Sequence, residues 1–120
     1  MPDAEHTFIA MRRGHRQVWL VSRLWELSRP LPVRKIALIE FSIYLDSDFW
    51  YNTGATPTTR GVLGHCRKII DADLRFPIIL DQEGRLMDGM HRIAKAWILG
   101  KKTINTVQFP VTPEPDRIDP

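Results

Sequence analysis

Residues 76–109, FPIILDQEGRLMDGMHRIAKAWILGKKTINTVQF, constrain the fold most, because their hydrophobic period changes at a single point. The apolar run Pro77-Ile78-Ile79-Leu80 breaks at Asp81-Gln82-Glu83-Gly84 and resumes as Arg85-Leu86-Met87. This predicts a strand, a tight turn and a second strand. Beyond Asp88-Gly89, Ile93, Ala96 and Trp97 recur at helical spacing, Ala94 and Ile98 widen the stripe, and Gly100 supplies a stop. An extended segment, 103–109, follows with imperfect alternation.

Chemistry concentrates where strand gives way to helix, at Asp88-Gly89-Met90-His91-Arg92. The N–H groups of a helix's first turn lack intrahelical acceptors and lie at the positive end of its dipole, so they favour an anion. Glycine permits close approach, while His91 and Arg92 add donors suited to phosphate oxygens. Two cations in a first turn are opposed by the dipole unless an anion neutralises them. The same residues admit a structural account, with Asp88 as N-cap, Gly89 as a turn residue, and Arg92 paired with Glu83 or Asp81.

A strand, turn and strand, then D-G-x-H-R opening a helix, a glycine stop and a closing strand resemble the ParB/sulfiredoxin superfamily. ParB members carry G-E-R-R here, sulfiredoxins G-G-C-H-R, and free-serine kinases a D-G-H-H-R-like version. The resemblance spans roughly residues 31–109 and is sharpest in the last third. It implies a single-domain α+β fold, a small mixed sheet with flanking helices. It also implies a nucleotide-phosphate grip by Gly89, Met90 through its N–H, His91 and Arg92. Asp88 becomes a candidate catalytic residue. Met90 stands where a sulfiredoxin keeps its reactive cysteine, so sulfinic-acid reduction is not expected.

The chain has 120 residues, enough for one domain core, with net charge +3 and pI near 9.4. That mild excess fits a polyphosphate ligand better than the basic stripe of a dedicated DNA binder. Cys66 alone excludes an internal disulfide, and no early apolar run resembles a signal peptide or membrane span, so the expected compartment is cytoplasmic.

Residues 1–30 read as an extension. Met1–His6 are polar and loose, and segments 7–11 and 17–21 form a hairpin around the basic tip Arg12-Arg13-Gly14-His15-Arg16. A short helix capped by Ser22 then runs to about Ser28 before Pro30 and Pro32. The core, 31–109, opens with a strand through VRKIALIEF, residues 33–41. Glu40 at its end is a candidate base by analogy with the serine kinases, or simply a solvent-facing carboxylate. Asp46 and Asp48 are candidate magnesium ligands, and Phe49-Trp50-Tyr51 can stack on a base or pack under the sheet. Residues 52–55 could act as a lid.

A helix from about Thr58, or from Thr56 ahead of Pro57, to about Ala72 would bury Val62, Leu63, Cys66, Ile69 and Ile70. By position in the ParB topology, Thr58, Thr59 and Arg60 are further candidates for phosphate or ribose contacts. His65 and Cys66 adjoin, but no second cluster stands at zinc-ligand spacing, so Cys66 reads as a small core residue. Residues 110–120 hold four prolines and read as an extended tail leaving the domain.

The function expected is nucleotide binding (ATP, ADP or CTP, with Mg2+), extending to a small-molecule kinase or phosphotransferase. The alternatives are a ParB-like nuclease or nucleic-acid-binding module, and a non-catalytic domain that recognises a phosphorylated metabolite or partner protein.

Overall fold

The computed structural model describes residues 6–51 and 54–119 and has an α+β architecture. The expectations for residues 1–5, and for Asn52 and Thr53 in the lid, lie outside the described residues. The chain divides into two compact units: Met1–Val33 with Ile79–Asp88 and Val107–Pro120, and Arg34–Ile78 with Gly89–Thr106.

In the first unit, β1 (Thr7–Arg12) and β2 (His15–Leu20) pair antiparallel with Arg12 opposite His15. The two-residue turn between them has φ +53 at Arg13 and +77 at Gly14, a mirror-image geometry that matches strand twist. Helix α1 (Val21–Ser28) begins directly after Leu20. Ser22 therefore lies inside it rather than capping it, and Val21 and Leu24 are fully buried. Strands β4 (Ile78–Leu80) and β5 (Leu86–Asp88) flank the expected turn. Asp81 Oδ1 accepts from the N–H groups of Glu83 and Arg85, and Arg85 makes ion pairs with Asp81 at 3.0 Å and Glu83 at 3.3 Å. Arg85 therefore takes both acids. Trp19, Leu24, Ile79, Met87, Val107 and Phe109 form this unit's core.

The proline-rich segment expected to leave the domain folds back. Strand β7 (Arg117–Asp119) pairs with β2 to complete a β1-β2-β7 sheet. Trp19 Nε1 donates to the Pro113 carbonyl at 2.8 Å, and Arg23 meets Asp116 at 2.9 Å. The buried indole N–H needs an acceptor, and this segment supplies it.

In the second unit, β3 (Arg34–Ala37) pairs antiparallel with residues 103–106 of β6 (Thr103–Gln108). The expected strand 33–41 is cut short: Leu38–Phe41 form a 3-10 turn, and Ser42–Leu45 form the short helix α2. Leu38 and Phe41, three residues apart, fall on one face of that turn and are both buried, which an alternating strand could not achieve. Helix α3 (Thr59–Asp71) lies against α4 (Met90–Ile98). Ile93 and Ala96 of α4 are fully buried as expected, whereas Trp97 and Ile98 are exposed.

Helix α3 departs further, since none of its residues is fully buried. Val62, Leu63, Cys66 and Ile70 are exposed and Ile69 is half-buried, so Cys66 is not a core residue. Among the described residues, no helix is long and apolar enough to cross a membrane.

Candidate functional site

The N-cap of helix α4 is Gly89, not Asp88, and it makes no side-chain capping bond. Gly89 has φ +122, and a Cβ there would fall 2.5 Å from Ile78 Cγ2. Glycine is thus required by close packing on Ile78 as well as by backbone conformation. Asp88 belongs to the first unit, where Oδ2 accepts from Trp25 Nε1 at 2.9 Å. Met90 is buried, and the half-buried Arg92 donates from Nη2 to the Pro77 carbonyl at 3.3 Å.

The half-buried His91 meets an unexpected partner in the second unit. Its Nε2 lies 2.9 Å from Nδ1 of His65, at mid-length of α3. The ring planes differ by 20°, with centroids 5.1 Å apart. Nitrogens 2.9 Å apart are closer than stacked rings allow, so the imidazoles meet edge to edge, sharing one hydrogen bond. The indole of Trp50 lies across both, with centroids 4.3 Å from His65 and 4.8 Å from His91 and tilts of 15° and 16°. Tyr51 approaches His65 edge-on at 5.8 Å. Burial, and then the charge of Lys68, lower the pKa of His65 below its usual 6.5.

Lysine95 fixes the two helices farther along. Its Nζ donates to the carbonyls of Ile70 at 2.8 Å and Ala72 at 2.7 Å. Contacts 65 to 91 and 70 to 95 advance in the same sense, so α3 and α4 run parallel here.

The other candidates fall elsewhere. Thr58 Oγ1 accepts from Gly61 N–H at 3.0 Å, closing the start of α3 with its own hydroxyl. Thr59 and Arg60 are exposed in that first turn. Glu40 is exposed on the 3-10 turn, and Asp46 and Asp48 are exposed after α2. Among the described residues, no three His, Cys, Asp or Glu side chains gather as metal ligands.

Sequence reasoning weighed His65 only as a zinc ligand and left Trp50 open between stacking and packing. The spacing between His65 and His91 carries no local signal, because two separate helices bring them together. No family model, curated protein or solved structure matches this chain.

Proposed function

We propose that the start of α4 binds the phosphate groups of a nucleotide, so that the chain acts as a ParB/sulfiredoxin-like nucleotide-binding domain. The observation that carries this reading is His91, in the first turn of α4, hydrogen-bonded to His65 beneath the Trp50 indole. An anion at that turn meets the positive end of the α4 dipole and an imidazole pair able to take up a proton. Trp50 offers an aromatic surface beside them of the kind that stacks on bases.

The reading extends to binding and stops short of phosphoryl transfer. Transfer needs a positioned base and charge neutralisation around the moving group. Asp88 is engaged with Trp25, and Glu40, Asp46 and Asp48 are exposed without a metal-ligating cluster among the described residues. Magnesium, if it accompanies the nucleotide, would take its ligands chiefly from phosphate and water, as that ion commonly does.

Calorimetry with ADP, ATP and CTP, with and without magnesium, tests the proposal. The expected result is binding that weakens about tenfold in His91→Gln and in His65→Gln, about 1.4 kcal/mol each. Absence of binding at millimolar nucleotide, or unchanged affinity in both variants, would sink it.

A further inference from the structure

Charge is unevenly divided along the chain. The second unit carries ten Lys and Arg against five Asp and Glu, a formal +5, whereas the first carries seven against nine, a formal −2. The same basic unit holds an open groove of about 680 Å³ lined by Ala37, Leu38, Ile39, Leu45 and Trp97. Its walls present apolar surface to water, with Ile39 77% and Trp97 63% exposed. The 3-10 turn buries Leu38 and Phe41 and thereby turns Ile39 outward. Exposed aromatic and aliphatic side chains gathered at one groove mark an interaction site more often than scattered ones do.

The cationic side of the groove is built into the backbone. Gly100 ends α4 with φ +70, Lys101 N–H donates to Ala96 O at 2.9 Å, and Leu38 N–H donates to Lys102 O at 2.9 Å. Lys101 and Lys102 are thus held on the lining, where Asp46 is the only acid among the described residues. We propose that this groove docks an acidic, apolar segment of a partner protein, with bulky side chains against Leu38, Leu45 and Trp97 and carboxylates toward Lys101 and Lys102. Charge complementarity of this kind steers encounter and selects partners.

The alternatives fit the groove less well. Nucleic acid would find one exposed ring and a mainly aliphatic lining, where stacking platforms use successive aromatic side chains. A second copy docked groove to groove would set two units of +5 against each other.

Display selection of random peptides of about 15 residues on the intact chain, followed by fluorescence anisotropy of the selected peptides, tests the proposal. Enrichment of Asp or Glu interleaved with Leu, Phe or Trp is expected. Binding should weaken at least about tenfold in Lys101→Glu/Lys102→Glu and in Trp97→Ala, and should weaken as salt rises. These side chains are exposed, so an unchanged melting temperature should confirm that each variant is folded, with Ile39→Ser as an independent probe of the apolar wall. Several results would overturn the proposal. They are absence of enrichment, enrichment of basic peptides, peptides indifferent to all three variants, oligothymidine outcompeting the best peptide, or a dimer of the free chain abolished by the same substitutions.

Discussion

Helices α3 and α4 lie side by side in the second unit, yet their first turns are completed by opposite means. At the start of α3, Thr58 turns its hydroxyl onto the N–H of Gly61, so the helix answers one of its own donors. At the start of α4 stands Gly89, which has no side chain to offer and is pressed against Ile78. The difference teaches that a threonine-led and a glycine-led helix start are not equivalent anion sites. The first carries its own acceptor, whereas the second is led by a residue with no side chain to supply one. It also separates two reasons for a glycine, because tight packing would select Gly89 even if no ligand ever bound.

Substituting the glycine gives the largest expected effect. Gly89→Ala places a methyl 2.5 Å from Ile78 Cγ2 at φ +122, so overpacking and backbone strain together should cost about 3 kcal/mol or more. Urea unfolding measures this. Gly89→Ala/Ile78→Ala should recover part of the difference, since the two residues share one contact. Additive losses would mean that the backbone conformation alone requires glycine. Next comes Lys95→Met, which removes the ammonium from the last carbonyls of α3 and should cost about 1.5 kcal/mol in the same assay. Thr58→Ala should cost about 1 kcal/mol and Thr58→Ser much less, because serine restores the hydroxyl acceptor.

The elements legible in the sequence were those whose signals are local. Ile93, Ala96 and Gly100 announced α4 and its end, and the 81–84 break placed the turn between β4 and β5. The hairpin was legible from the two apolar stretches that flank the basic tip at 12–16. Misjudged features depended on what lay opposite. The spacing of Val62, Leu63, Cys66 and Ile70 correctly marks one face of a helix, but amphipathicity defines a stripe without stating that anything covers it. Prolines 110, 113 and 115 argued for an exit from the domain, yet β2 has strand capacity to spare and Trp19 needs an acceptor for its N–H. At the candidate site, Gly89, His91 and Arg92 were legible as a motif. The imidazole pair and its indole cover were not, because His65, His91 and Trp50 come from three separate segments.

The smallest expected effect addresses the comparison most directly, through pH. His65 has its pKa lowered by burial and then by Lys68, so its neutral form is favoured in the folded chain. The unfolded chain therefore binds the proton more readily. Stability is fully present above the ordinary value near 6.5 and falls as pH drops through that value toward the lower folded pKa. Urea midpoints between pH 8 and pH 5 should show this decline, with a shallower one in His65→Gln. Saturating inorganic phosphate should reverse the contribution of His65, because an anion at the start of α4 favours the protonated imidazole pair. If phosphate leaves the slope of the wild type unchanged, the start of α4 does not hold a phosphate group. Its contrast with α3 would then be one of packing alone.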